Sequence, residues 1–249
     1  MCKQMHKYIL LIILSAGMTL SAQNLTIHGS DPTEIRSRID IVLAQLTSLA
    51  NSQFVGTSVL GEYAFNDWFL AGLDVPYVYA RFEGKTSTGL GDVRLKLLAS
   101  LYRAQQFELL KAVAGGIDVH LDTGDADRGT GIGQTIGIPN VAASMQLAEE
   151  FLIIPRIRYL FSIKEHRDEI DEIRLDVDNV LAFPEEFWLS IMPELIIDIT
   201  GVRQNTMNLQ TTLGKMLSEK WGVAAVFRTN IFGEPRVESR SYLSFRYLF

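Results

Sequence analysis

The residues with chemistry to offer in this chain are charged, and many of them stand two apart. Arg94 and Lys96 come first. Arg156 and Arg158 follow, then Glu172, Arg174, Asp176 and Asp178, then Glu194 and Asp198, and later Arg228 and Arg246. A spacing of two puts side chains on one face of a β-strand, so each set presents its charges together. Acids and bases on neighbouring strands have two uses. They line an aqueous passage and set its ion preference, or they pair with one another and close the space between them. A second constellation is Asp118, His120 and Asp122, at i, i+2 and i+4. On one strand face such an acid–histidine array offers a general base or a metal site, and a wet polar lining is the plainer reading. A third is the acidic, glycine-rich stretch Asp122-Thr-Gly-Asp125-Ala-Asp127-Arg-Gly-Thr-Gly. Oxygen ligands at alternate positions in Asp122, Asp125 and Asp127 suit Ca²⁺. The distal bidentate glutamate of a calcium loop is missing, which favours a solvated loop. No His-x-Ser arrangement of the phospholipase kind stands near a strand end. The chain reads as a non-enzyme without a cofactor.

The elements that must hold these charges are strands. About twelve segments alternate in hydrophobicity: roughly 35–47, 53–65, 68–80, 90–103, 107–121, 137–148, 151–163, 170–183, 186–200, 207–218, 221–231 and 238–249. Every second connection is tight, as at Asn66-Asp67, Ala104-Gln105-Gln106, Glu149-Glu150, Pro184-Glu185 and Glu219-Lys220. The connections between these are longer: 81–89, 122–136, 164–169, 201–206 and 232–237. Only that near 49–52 is short. Short turns on one side and long loops on the other are the asymmetry of an outer-membrane barrel, the short side being periplasmic. The alternation then assigns faces. Ile157, Leu175, Leu195 and Phe227 point outward, as does Lys215 near a tight turn. The charges above point inward, together with Arg36, Arg38, Asp40, Glu62, Asp74, Glu108 and Arg240. A soluble sandwich would reverse the faces, but segments this long exceed the usual soluble strand of about five or six residues.

Both termini agree with export. Lys3 and Lys7 precede an apolar run from Tyr8 to Leu14, and Leu20-Ser21-Ala22 supplies small residues, the layout of a signal peptide over residues 1–22. Its removal takes Cys2, which leaves a chain with no cysteine for disulfides or thiolate chemistry. It also takes two lysines and no acid, deepening a formal net charge of −6. A basic nucleic-acid footprint is absent. No later stretch has the roughly 18 apolar residues of a membrane helix. At the other end Phe249, Tyr247, Phe245 and Leu243 alternate with Leu248, Arg246, Ser244 and Tyr242. A closing strand with a terminal Phe and alternate aromatics resembles that of bacterial outer-membrane barrels, and Phe245, Tyr247 and Phe249 would be its assembly signal.

The middle of the chain resembles a known family. Val75-Pro76-Tyr77-Val78-Tyr79 is followed by Thr88-Gly-Leu-Gly-Asp92, then by Ala114-Gly-Gly-Ile-Asp-Val-His120-Leu-Asp122-Thr-Gly124-Asp125 and Gly129-Thr-Gly-Ile-Gly133. These elements are similar to the phenol-degradation meta-pathway transporter-like family of outer-membrane barrels, over roughly 62–148. Leu121-Asp122 departs from the family's Leu-Pro. The resemblance implies a barrel that takes up hydrophobic or aromatic compounds. Read physically, Gly89 and Gly91 mark a sharp bend, and Asp92 would accept hydrogen bonds from its own turn.

The expectation is therefore all-β: a single antiparallel transmembrane β-barrel over 35–249, behind a signal peptide (1–22) and a periplasmic segment (23–34). It sits in the outer membrane of a Gram-negative bacterium. Its partners are outer-membrane lipid, the barrel-assembly machinery and a small-molecule solute, with no nucleic acid. The function expected is a channel for small, hydrophobic or aromatic solutes. A closed barrel acting through its loops and an outer-membrane hydrolase are the alternatives.

Overall fold

The computed structural model describes residues 31–49, 52–82, 85–104, 109–165, 169–201, 204–233 and 237–249. The expected signal peptide, residues 23–30, Phe107, Glu108 and His166 lie outside them. Thirteen strands run in order: β1 (Arg38–Leu49), β2 (Ser52–Ala64), β3 (Phe69–Phe82), β4 (Lys85–Leu90), β5 (Arg94–Arg103), β6 (Leu110–His120), β7 (Gln134–Ala148), β8 (Phe151–Glu165), β9 (Asp171–Phe183), β10 (Phe187–Asp198), β11 (Thr206–Met216), β12 (Trp221–Phe232) and β13 (Ser239–Leu248). Each pairs antiparallel with its neighbours, and β1 pairs with both β2 and β13, so the sheet closes on itself. It is a 12-strand barrel, because β4 and β5 share one position. The lower part of β3 pairs with β5 and its upper part with β4. Closure leaves no sheet edge except beside β4, and elsewhere the ladder groups find partners within the wall, as a backbone crossing lipid requires.

The expected segments need three corrections. The connection over 81–89 is a tight hairpin, in which β3 runs on to Phe82 and β4 returns from Lys85. The segment expected over 90–103 is broken at Gly91-Asp92-Val93, where Gly91 N donates to Pro76 O at 2.9 Å. A Cβ on Gly91 would stand 3.0 Å from Pro76 Cγ and from Val78 Cγ2, so the break is built on a residue without one. In β1 the register slips between Val42 and Gln45, with Ala44 at φ 50°. That bulge moves the apolar face from Leu43 to Leu46 and accounts for the weak alternation of 35–47.

Turns and both ends of the described chain gather at one end. At the β2–β3 turn, Asn66 Oδ1 accepts from the N–H groups of Trp68 and Phe69, at 2.8 and 2.9 Å. An Asx turn of this kind satisfies donors that no ladder reaches. Phe249 N donates to Ser37 O at the same end.

The outer face is apolar and exposed: Ile41, Val59, Leu73, Leu97, Ile157, Leu175, Leu195, Leu213, Phe227 and Leu243 all lie on it. Tyr63, Phe65, Trp68, Phe183, Trp221 and Phe249 ring the short-turn end, while Tyr77, Tyr79, Tyr159 and Phe232 lie towards the other. Such belts suit a membrane's two interfaces. Lys215 is outside too, its Nζ 4.1 Å from the centre of the Phe187 ring and 3.9 Å from Glu185 on the adjacent turn.

The inner face changes character along the barrel axis. Near the short turns it is apolar and packed. Leu152, Ile154, Val180, Trp188, Met216 and Leu248 form one cluster, and Leu70, Leu98 and Ala114 form another around Ile35. Gly214 faces Trp188 so closely that a Cβ there would overlap the indole. The residue 31–37 segment enters this end: Thr33 and Ile35 are buried, and Thr33 N and Oγ1 donate to Asp31 Oδ1 at 2.8 and 2.7 Å. Above these clusters the inner face is charged, apart from a third apolar cluster of Ile136, Ile138, Leu160 and Ile170.

Candidate functional site in the barrel interior

Two ion-pair networks occupy the inner wall. The first is spread over consecutive strands β8 to β12. Arg156 Nε donates to Asp176 Oδ1 at 3.0 Å. One Arg158 nitrogen reaches both Asp176 Oδ2, at 2.7 Å, and Glu194 Oε1, at 2.6 Å. Arg228 and Asn208 Nδ2 both donate to Glu194 Oε2, the latter at 3.0 Å. Cross-strand register explains the set: Arg156 stands opposite Asp176, Asp176 opposite Glu194, and Glu194 opposite Asn208. Glu194 is buried at 1% exposure, and it survives there because both its oxygens are taken by charged or amide donors.

The second network lies across the seam where the barrel closes. Arg246 grips Asp40 with two nitrogens, at 2.6 and 2.7 Å. Arg38 Nε lies 2.6 Å from Glu62 Oε2, and Lys96 Nζ lies 2.8 Å from Glu62 Oε1. Arg38 also approaches Asp40, at 3.6 Å.

The remaining inward residues divide. Arg174 turns to its strand neighbour Glu172 at 2.8 Å. Arg94 faces Asp74 at 3.6 Å. Asp178 accepts from Ser190 Oγ at 2.5 Å. Asp198 sits at the strand end and accepts from Thr200 Oγ1 at 2.9 Å. Arg36 lies before β1 and pairs with Glu34 at 3.8 Å.

Between the walls is a cavity of about 370 Å³. Its lining includes Arg94, Arg156, Arg158, Arg228, Arg240 and Arg246 but only Asp176, Asp178 and Glu194 as acids. Six cations against three anions make it a positive space. Tyr242 and Ser244 of the last strand, and Trp188 and Met192 of β10, also line it, with Pro32 contributed by the entering segment. Tyr242 shares the parity of Arg246, and Trp188 that of Glu194, so alternation turns both inward, but their types alone do not mark them as lining residues.

One other expectation changes. Asp118, His120 and Asp122 do not share a strand: β6 ends at His120, and Asp122 belongs to the following loop, where its N–H donates to Thr135 Oγ1 at 3.4 Å. Asp122, Asp125 and Asp127 lie in the loop that follows β6. Among the described residues no three His, Cys, Asp or Glu side chains converge as metal ligands. Asp125 is turned onto its own loop, accepting from Arg128 N at 3.0 Å and pairing with Arg128 Nε at 3.3 Å.

Asp92 does not serve its own turn. Its two oxygens accept from Gly124 N at 2.9 Å and Ile132 N at 2.6 Å, both in the 121–133 loop. Thr123 Oγ1 joins the same junction, donating to Gly91 O at 3.0 Å and accepting from Val93 N at 2.8 Å. Gly124 and Gly131 touch backbone to backbone, and a Cβ on either would come within 2.7 Å of the other's main chain. The two glycine-rich elements of the sequence are thus one device. Beyond the end of β6 the wall lacks a strand, and this pinned loop lies there against β4.

Solved structures with this architecture include the COG4313 outer membrane channel from Pseudomonas putida F1, with a TM-score of 0.70 at 13% identity over 88% of this chain and 98% of that one. The NanC porin follows at 0.60, with 11% identity over 86% and 99%, and the KdgM porin at 0.57, with 11% identity over 85% and 99%. No protein-family model matches the chain, and no curated protein matches it in sequence. At such identities the likeness is one of fold, and the fold is that of outer-membrane barrels. The resemblance to the phenol-degradation family rests on the residues quoted for it.

Proposed function

We propose that the chain is a channel in the outer membrane of a Gram-negative bacterium, passing small solutes through the lumen. The observation that carries this reading is the positive, arginine-lined cavity enclosed by a closed wall whose outer face is apolar. Small polar solutes suit this lining better than the hydrophobic or aromatic ones that the family resemblance implies, since an apolar solute gains nothing from guanidinium groups and strips them of water. The partners follow from the same reading: lipid on the outer face, the solute within, and the barrel-assembly machinery, which would read Phe245, Tyr247 and Phe249. The role is not enzymatic.

One observation favours a second reading, a closed barrel that acts through its loops: Thr33 and Ile35 fill the short-turn end of the lumen. Planar-bilayer conductance separates the two. A channel should conduct as purified, and removing residues 23–36 should raise its conductance. A barrel silent both intact and after that deletion would overturn the channel reading in favour of the closed one.

A further inference from the structure

We propose that Arg94, Arg228 and Arg240, with the Tyr242 hydroxyl beside them, form a binding station for a small oxyanion, a carboxylate or a phosphate, inside the lumen. The inference rests on the channel reading and names the class of solute for it. The carboxylates of the cavity wall are already engaged. Both oxygens of Asp176 are held by Arg156 and Arg158, and both of Glu194 by Arg158, Arg228 and Asn208. Asp40 likewise engages Arg246. Asp178, the third acid of the lining, takes the Ser190 hydroxyl, and the other charged groups that remain are cationic. Arg240 forms no ion pair among the described residues, and its Nε is buried without a hydrogen-bond partner. Arg94 keeps only Asp74, at 3.6 Å.

The register makes the excess sharper. Arg240 stands directly opposite Arg228 on the adjacent strand, a like-charge pairing that costs stability in a sheet. Arg94 comes from β5, four wall positions away round the seam from Arg240, and lines the same cavity as Arg240 and Tyr242. Arg228 and Arg240 therefore face the lumen from one stretch of wall and Arg94 from another. All three line the same cavity. Like charges held together in a confined space bind an anion that relieves their repulsion, and the planar fork of arginine matches two oxygens of a carboxylate or phosphate.

The test uses the full barrel in detergent. Trp188 lines the cavity, so replacing Trp68 and Trp221 by Phe leaves one indole as reporter. Sodium acetate, sodium phosphate and sodium chloride are titrated at constant ionic strength. The expected result is a saturable change with acetate or phosphate and a much weaker one with chloride. Arg240→Gln should weaken it about 10-fold, the usual worth of one charged hydrogen bond, and Arg94→Gln should weaken it as well. Arg240 holds no acid in place, so its loss should leave the heat-modifiable folded form intact, and Arg94→Gln provides the second variant if it does not. Tighter acetate names a carboxylate, tighter phosphate a phosphate. Absence of saturation, equal response to chloride, or unchanged affinity in both variants would overturn the station. Conductance is measured on the same preparations. Binding without current, both intact and after removal of residues 23–36, leaves the station standing and removes the channel reading; current without binding does the reverse.

Discussion

The two ion-pair networks have the same stoichiometry and opposite origins. In each, three cations serve two carboxylates: Arg156, Arg158 and Arg228 with Asp176 and Glu194 on one wall, and Arg38, Lys96 and Arg246 with Asp40 and Glu62 at the seam. The first is assembled by hairpins. Its members follow one another in sequence, so strand alternation and antiparallel register bring them together. In the seam network the Asp40–Arg246 pair joins residues 206 positions apart and forms only once the barrel has closed, while Glu62 gathers Arg38 and Lys96 from strands on one side of it. The first network therefore stabilises a sheet, and the second stabilises a ring.

That contrast can be broken by substitution. Glu194→Ala should have the largest effect, because it leaves Arg158 and Arg228 facing each other in a buried site with no shared acid. Losing one partner of a buried pair costs about 3–5 kcal/mol, which urea unfolding of the folded barrel would read. Asp40→Ala removes one of two seam acids, and Glu62 stays close to its cations. About 1.5–3 kcal/mol is expected, and the signature should differ: a lower yield of the heat-modifiable form on refolding, since closure is the step affected. Equal refolding yields in the two variants would erase the distinction.

Asp92 belongs to neither network and has backbone N–H groups as partners. Asp92→Ala should cost about 1 kcal/mol and expose residues 121–133 to amide exchange while the wall strands stay protected. Burial is the largest influence on this carboxyl and lifts it above the ordinary carboxylate value, against the pull of the Ile132 and Gly124 N–H groups. The folded protein then holds that proton more tightly than the unfolded chain. The Asp92 contribution therefore falls as pH rises from the ordinary value through the raised one, and wild type should exceed Asp92→Ala by more in acid than at neutral pH. A difference that grows with pH would mean that the backbone donors, not burial, dominate. The smallest effect belongs to Lys215→Ala on the outer face, under about 1 kcal/mol, because its partners are a half-exposed ring and a turn carboxylate.

How much of this was legible in the sequence follows the same division. From β8 to β12 the register slips only at Met207/Asn208, at the end of a ladder, so the faces of Arg158, Asp176, Glu194 and Arg228 and the pairing of neighbouring strands could be read directly. At the seam the bulge at Leu43-Ala44 shifts the period, and nothing local says that Asp40 meets Arg246. The break in the β4–β5 position was hidden for a similar reason. Gly91 and Asp92 signal a bend, but the groups that Asp92 holds lie 32 and 40 residues further on. The segment around Thr33 and Ile35 offers a single apolar residue and a turn, too little to announce that it enters the barrel. Chemistry held by successive strands is written in periodicity; chemistry held by distant segments is written only in the closed shape.

The seam has a further consequence, for the order of events in folding. Every neighbouring pair in the wall is joined by a hairpin or a single loop except β3 with β5, which the short β4 links, and β1 with β13, which the whole barrel separates. The entropy of bringing those two ends together grows only with the logarithm of the intervening length, but long sequence separation slows a search. Before that search ends, the chain is a curled sheet with two bare margins, each presenting unpaired N–H and C=O groups along its length, the kind of margin that recruits foreign strands. The arrival of β13 removes both margins at once. Nearly all the hazard of misassembly in this molecule is therefore concentrated in one junction, and the Asp40–Arg246 clasp lies across it.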